Sequence, residues 1–382
     1  MRVLVDYRPG LRQPSGAGEY TSQLVKALLA TFPKSALDLT VFSSSWKDRL
    51  ELDRGELAGA TIVDRRVPVR VLNLAWHRLG WPPAETLVGA TFDVTHSPHP
   101  LILPARAAAH VITIHDLNFL AHPERARAEI RRDYPALVRE HARRADRIIV
   151  PSKFTANEVT RRLGVPLDKI SLCAPGAPPW TRRAATPAHG YILFLGTLEP
   201  RKNVGALLDA YEQLLTTSRH VASGFSRTVP RLVLAGMATE QSRPWLDRLT
   251  RRPLSTMVQH IGYVDPAARR ELYEGARLLV QPSLEEGFGL PVLEAMTVGV
   301  PVVAASRGAL PEVLGDAGPL VDPDSPDQIA AGIERILKDE ADAARCAEAG
   351  IARARQFRWD ATARAVYDAY RLAIEHRQCA SV

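Results

Sequence analysis

Cysteine is scarce: the 382 residues hold three, Cys173, Cys346 and Cys379, far apart and in no Cys-x-x-Cys pair. That spacing argues against a disulfide framework or a thiolate zinc site and makes a reducing cytoplasm the expected compartment. Long apolar runs are missing too. The uncharged stretch 298–305 falls far short of the roughly 20 residues that span a bilayer. The opening "MRVLVDYRPG" meets an Asp at position 6 before any long apolar core forms, so no signal peptide is expected. No segment is of low complexity, which leaves an ordinary folded chain, long enough for two domains.

Charge is present but uneven. Residues 1–180 hold 25 Lys and Arg against 18 Asp and Glu, a net of +7, whereas residues 181–382 hold 24 of each. An excess confined to one half fits an anionic partner there: a membrane surface, a phosphorylated substrate or nucleic acid. A solvated Arg-rich surface explains it equally well. Nucleic acid is not expected, because no recognised binding motif and no aromatic-basic interleaving accompanies the charge.

Short apolar runs alternate with helical patterns. "RVLV" (2–5) precedes a helix-like stretch from about Gly18 to Ala30, "AHVITIH" (109–115) precedes 124–144, and "RIIV" (147–150) precedes a helix that Ser152 can cap. Strand-like runs follow at 191–195, 231–235, 257–261, 277–280, 301–304 and 318–321. Such alternation predicts α/β units, parallel sheets covered by helices. "APGAPPWTRRAATPAHG" (174–190) carries four prolines, which fix φ and remove donors, so it reads as an extended linker. The expected domains are 1–175 and 191–355, joined by 176–190, with 356–382 as a terminal helical segment. The loop 218–230 is polar, long and expected to be exposed.

Chemistry gathers at strand ends. "SLEEGFGLPVLEAM" (283–296) follows the apolar run "ARLLVQ"; Pro291 suits a first helical turn, and Gly299 and Pro301 stop that helix. Gly287, Phe288, Gly289 and Leu290 then form a loop at a helix N-terminus, where amides attract anions and glycine admits close approach. Glu286 and Glu294 repel a phosphate but suit hydroxyl groups, so the stretch reads as a site for a sugar joined to a phosphate. Glu294, expected in the first turn, could instead offset the helix dipole, and Glu286 could be solvated. "GTLEPRKN" (196–203) places Arg201 and Lys202 at a second strand-to-helix turn, where two cations can neutralise a diphosphate. Gly16, Ala17 and Gly18 in "PSGAGEY" form a flexible entry to a helix or a simple turn; without a third glycine they are no dinucleotide fingerprint. His115 in "TIHDL" sits at a strand end, and so do His96 and His99 in "THSPHP"; a lone His in such a place is more often structural than functional, and the more so for His96 and His99.

Together "EGFGLPVLEA", "EPRKN", "IHDL" and the early Gly-x-Gly loop resemble the retaining GT-B glycosyltransferases of family 4, in order and over most of the chain. "DYRPG", "FDVTHSP" and "FLGTLEPRKN" resemble a bacterial branch rich in mannosyltransferases of O-antigen and polysaccharide assembly. The resemblance implies two Rossmann-like domains facing across a cleft, an N-terminal acceptor-binding domain and a C-terminal nucleotide-sugar-binding one, with the last helix crossing back to the first. It implies that Arg201 and Lys202 hold the donor diphosphate, Glu286 the donor sugar and Glu294 the ribose. Tyr263 and Val264 would flank the base, the Gly289 and Leu290 amides would meet phosphate or sugar, His115 would contact the transferred sugar, and Gly16 to Gly18 would close over the phosphates. GDP-mannose is the implied first-choice donor, and the acceptor a glycan or a lipid-linked glycan. No cofactor is expected. An Asp-x-Asp pair at a suitable strand end is missing, since Asp322 and Asp324 fall in a Pro-flanked turn, so no metal requirement is expected. The stretch 122–147, with eight Arg against five acids, would present Arg where such an acceptor approaches, giving salt-sensitive peripheral contact with an anionic membrane at its cytoplasmic face. Departures from the family's pattern are Glu19 after the glycine loop, "GMATEQS" (236–242) in place of a glycine-basic start, and the 218–230 loop. A UDP-sugar-dependent member of the family, a GT-B phosphorylase, an epimerase and a basic nucleic-acid-binding protein are the alternatives.

Overall fold

The computed structural model describes residues 1–11, 16–46, 57–123, 128–220 and 229–379. Most of the expected loop 218–230, and residues 124–127 of the Arg-rich stretch, lie outside the described residues.

Two compact units divide the chain: Met1–Gly176 with Arg358–Val382, and Ala177–Phe357. The first is built on β1 (Arg2–Asp6), β2 (Asp38–Ser44), β3 (Thr61–Arg65), β4 (Val94–Ser97), β5 (Ala109–Thr113), β6 (Arg147–Val150) and β7 (Ile170–Leu172). All pair parallel in the order β3-β2-β1-β4-β5-β6-β7. The β-branched runs of β1, β5 and β6 are buried nearly throughout, as a sheet covered on both faces requires. Helix Gly16–Thr31 turns Tyr20, Leu24, Val25 and Leu28 onto that sheet, a helical spacing of three and four. Helix Trp359–Cys379 packs beside it, burying Ala363, Val366, Ala369, Tyr370 and Ala373 in the same core. Ser152 caps helix Lys153–Leu163, its hydroxyl accepting from the Thr155 amide at 3.1 Å.

The second unit holds β8 (Tyr191–Leu195), β9 (Leu232–Ala235), β10 (Val258–Gly262), β11 (Ala276–Gln281), β12 (Val302–Ala305) and β13 (Leu320–Val321). They too are all parallel, in the order β10-β9-β8-β11-β12-β13. Read within each unit, the order is 3-2-1-4-5-6, the doubly wound arrangement, extended by a seventh strand in the first unit, with reversal points between β1 and β4 and between β8 and β11. The proline-rich stretch has no helix or strand, yet it is not loose. Arg183 is buried, its amide donating to Val298 O at 3.1 Å and its guanidinium to Ala276 O and the Thr186 hydroxyl. The long side chain supplies partners that the prolines cannot.

Candidate active site

At the reversal point of the second sheet two loops leave neighbouring strands at their carboxyl ends, where open α/β sheets bind ligands. After β8 the chain makes a short turn, Pro200–Lys202, and enters helix Val204–His220. After β11 it runs through 282–289 into helix Leu290–Val298. The Leu284 amide donates to Arg201 O at 2.8 Å and ties the loops together. Asn203 strengthens the tie. It holds φ 59°, a left-handed conformation that Asn tolerates better than most residues, and its side-chain amide donates to Pro282 O at 3.1 Å and Pro323 O at 2.7 Å. One residue thus pins the loops after β8, β11 and β13.

Glu286 lies between these loops and is buried. Its Oε1 accepts from Lys202 Nζ at 2.5 Å, the Ser283 hydroxyl at 2.8 Å and Gln281 Nε2 at 3.0 Å; its Oε2 accepts from Arg201 Nη1 at 3.0 Å. Arg201 Nε also meets Glu199 at 2.6 Å. Burial pushes the Glu286 carboxyl up, but the Lys202 and Arg201 charges outweigh it and hold the group down at about 2. Lys202 is buried beside Arg201, and both effects lower its affinity for a proton against the pull of Glu286. The solvated alternative for Glu286 is therefore excluded. The packing is tight, since a Cβ at Gly308 would stand 2.8 Å from both Glu286 N and Glu286 O.

The helix that follows begins as the sequence suggests. Gly289 has φ 104° at its N-cap, Pro291 is in its first turn, and Gly299 closes it in the left-handed conformation. Pro291 carries no amide N–H, and the Val292 and Leu293 amides donate to Gly289 O at 3.0 and 3.3 Å, which leaves the Gly289 and Leu290 amides at the helix N-terminus. Two details differ from expectation. Phe288 is not an open loop residue but is buried, its ring edge-on to Phe357 at 5.6 Å. Glu294 is the fifth helical residue and not in the first turn, so it does not serve the helix N-terminus. Its oxygens accept from Arg269 Nη1 at 2.8 Å and the Tyr273 hydroxyl at 2.7 Å. Both partners belong to helix Pro266–Glu274, which starts just past Tyr263 and Val264 at the carboxyl end of β10. Tyr263 is exposed there.

In the first unit Gly16, Ala17 and Gly18 form the first turn of their helix and not a loop ahead of it. A Cβ on Gly18 would come within 2.5 Å of Pro9 O, so glycine is required by close backbone approach. Tyr20 on this helix meets the His115 ring edge-on at 4.9 Å, which brings the glycine turn and the His together. Burial lowers the His115 pKa, and its Nε2 lies 3.2 Å from Pro98 O. His96 is structural: fully buried, it sits between the Tyr370 hydroxyl and the Thr113 hydroxyl, both at 2.8 Å, and burial lowers it to about 3. His99 Nε2 lies 3.1 Å from Asp6, which Arg8 also grips.

The sequence of known families agrees with this geometry. The pattern of the glycosyl transferases group 1 matches residues 184–353, and that of glycosyltransferase family 4 matches residues 14–179. The O-antigen chain mannosyltransferase B of Escherichia coli is 33% identical over 291 residues, 73% of this chain and 74% of its own length. The chain belongs to the GT-B glycosyltransferases of family 4. Among solved structures, sucrose-phosphate synthase from Thermosynechococcus elongatus superposes with a TM-score of 0.76 at 21% identity, covering 97% of this chain and 98% of its own. An Anabaena protein, HepE, in complex with UDP and glucose, gives a TM-score of 0.71 at 17% identity, covering 96% and 98%. At these identities the likeness concerns the fold. In this transferase Asn203, Gln281 and Ser283 hold the loops and the carboxylate of the candidate site, and motif reasoning passed over them. Asn203 had a signal, an Asn at the end of a strand-to-helix turn, whereas Gln281 and Ser283 look like ordinary strand-end residues until Glu286 folds back onto them.

Proposed function

We propose that the transferase moves a sugar from a nucleotide-sugar, GDP-mannose first, to a glycan or lipid-linked acceptor in polysaccharide or glycoconjugate assembly, with retention of configuration and without a metal. The observation that carries this reading is the cluster of buried Glu286 and Lys202 with part-exposed Arg201 at the reversal point of the second sheet. A carboxylate there has its charge met by two cations. Arg201 and Lys202 can then turn to a diphosphate, on which negative charge grows as the glycosidic bond breaks, so their hold strengthens in the transition state. The Gly289 and Leu290 amides add donors at the same place. Glu286 Oε2 keeps acceptor capacity for a sugar hydroxyl, and each Glu294 oxygen can accept a ribose hydroxyl beside Arg269 and Tyr273. Tyr263 and Val264 flank the base. In the first unit His115 contacts the transferred sugar, and the Gly16–Gly18 turn closes over the phosphates. The acceptor hydroxyl attacks from the face that the diphosphate leaves, and the diphosphate takes its proton. GDP-mannose rests on the likeness to the Escherichia coli mannosyltransferase. A UDP-sugar is the second reading, since the same fold in HepE holds UDP.

A panel of nucleotide-sugars, read by nucleotide release, tests the donor. We expect GDP release from GDP-mannose to lead. Calorimetry showing tight UDP binding and none of GDP removes mannose. The anomeric coupling constant of the first product tests retention: an α-linked product is expected from an α-donor, and a β-linked product overturns the mechanism.

A further inference from the structure

The loops around Glu286 occupy the carboxyl edge of the second sheet; the opposite edge gathers cations of its own. A cavity of about 1040 Å³ opens there, lined wholly by the second unit. Arg231 immediately precedes β9, and Arg277 is the second residue of β11. β8 lies between those strands and starts just after Gly190. The Ile192 amide donates to Arg231 O at 2.8 Å, and a Cβ at Gly190 would stand 2.9 Å from Arg277 Cγ. Arg183 completes the group: its guanidinium donates to Ala276 O, next to Arg277, and to the Thr186 hydroxyl at 3.1 Å. The strand order thus collects three arginines, far apart in sequence, around the start of β8, and all three line the cavity.

Arg183 and Lys202 are the most buried Arg and Lys among the described residues, at 6% and 7% exposure. Lys202 has Glu286 for its charge, whereas Arg183 forms no ion pair with a described residue and meets a carbonyl and a hydroxyl. Glu274 acts on it from a distance but is paired with Arg270 at 2.8 Å. Burial, helped by the neighbouring Arg182, lowers the Arg183 pKa to about 10. A buried cation without a counter-charge is costly, and a bound anion removes that cost. Arg231 and Arg277 likewise form no ion pair with a described residue. Of the two acids on the wall, Glu348 is taken by Arg182 at 2.5 Å, and Glu340 opens helix Glu340–Ala354. Much of the remaining wall is apolar, with Val229, Val233, Leu337 and Ala344. Guanidinium forks match phosphate oxygens, and the volume suits a whole small molecule and not a lone phosphate. We propose that this cavity is a second ligand site, a seat for a small organic phosphate whose phosphoryl group lies among Arg183, Arg231 and Arg277 and whose body lies on the apolar wall. Its walls come from the proline-rich stretch, the strand starts and helix Glu340–Ala354, so an occupant ties three elements together. The proposal does not rest on the donor reading, because the five-residue length of β8, about 16 Å, separates the two edges.

The full chain is titrated by calorimetry with AMP and with mannose 6-phosphate, which share a phosphate monoester and differ in its body. Binding of at least one of them, one per chain, is expected; a tighter hold on AMP marks a nucleotide as the source, and on mannose 6-phosphate a sugar phosphate. Arg231→Gln and Arg277→Gln are each expected to weaken binding about tenfold, since each removes a charge-assisted contact. Arg201→Ala, in the loops at the other edge, is expected to leave it within about twofold. Arg183 also holds the proline-rich stretch, so the test is placed on Arg231 and Arg277, whose side chains hold no other element. Circular dichroism is therefore expected to show an intact fold in both variants. The bound ester is expected to raise the unfolding temperature of the unaltered chain, and to raise it less in each variant. Three results would overturn the proposal: no binding of either ester at millimolar concentration, binding that ignores both the Arg231 and the Arg277 change, or binding that Arg201→Ala abolishes while those two variants keep it. GDP and UDP binding by the Arg231 and Arg277 variants reports the donor site separately. Failure of the second site and failure of the donor site are therefore distinguishable.

Discussion

Lys202 and Arg201 differ in burial, and the difference matters for what each can do. Lys202 is buried and reaches Glu286 as a point charge, whereas Arg201 is part-exposed and bridges Glu199 and Glu286. If both hold the donor diphosphate as proposed, substituting either by Ala removes a charge-assisted contact to the leaving group, and turnover is expected to fall about 10²-fold or more in each case, as when one transition-state donor is lost. Turnover near normal in either variant rejects its role. Glu286 gives a separate, pH-dependent prediction. Its folded value of about 2 lies below its ordinary 4.5, so its ionisation adds stability that is present above pH 4.5 and disappears as pH falls toward 2. Glu286→Gln leaves Lys202 buried without its counter-charge and is expected to cost about 3 kcal/mol at neutral pH. The gap to the unaltered protein is expected to narrow as pH falls from 4.5 toward 2. Denaturant unfolding at pH 7 and pH 3 checks this; a gap of constant size means that Glu286 is not held as a carboxylate.

At the scale of elements, what counts is how closely a turn can approach its neighbour. Helix Gly16–Thr31 starts against Pro9, and a Cβ on Gly18 has no room there. Gly18→Ala must shift either the helix start or the 8–11 turn, at an expected cost of about 2 kcal/mol in thermal unfolding, typical of overpacking. Because Tyr20, two residues on, touches His115, the same change is expected to lower turnover more than the stability loss alone accounts for. A melting temperature equal to that of the unaltered protein would show that the neighbouring backbone gives way freely. Asn203 shows the same principle in polar form. One amide in the left-handed conformation fixes three strand-end loops by accepting modest backbone strain.

Across the whole molecule, the chain ends by returning to its first unit. Helix Trp359–Cys379 completes the core that β1, β4 and β5 begin, and the Tyr370 hydroxyl supplies the partner that buried His96 Nδ1 needs. Ending the chain before Trp359 uncovers that core and is expected to abolish cooperative unfolding of the first unit. Tyr370→Phe removes only the hydroxyl and is expected to cost about 1–3 kcal/mol, the penalty for a buried polar group left unsatisfied. Thermal unfolding followed by circular dichroism separates the two outcomes. A truncated chain that still melts cooperatively at the same temperature would make the helix dispensable.

Local chemistry was legible in the residues themselves. Alternation of β-branched runs with helical periods gave parallel α/β units, because parallel strands are buried on both faces and read as unbroken apolar runs. Pro291, Gly299 and Ser152 marked helix ends because each fits one backbone role at a terminus. Strands β2, β3 and β7 carried no such signal: β3 is an edge strand with no buried residue, β7 is three residues long, and β2 opens on Asp and closes on Ser. Tertiary structure alone decided the partners of charged groups. Glu286 and Glu294, eight residues apart in one motif, went to different partners: one to two cations brought from 84 and 85 residues away, the other to Arg269 and Tyr273. The motif supplied the carboxylates, but the parallel crossover, which sets β8 beside β11, selected which cations they meet. The same holds for His96 and His115. Both stand at strand ends in the sequence, and only the packing of Tyr370 against one and Tyr20 against the other distinguishes a core residue from one at the sheet edge.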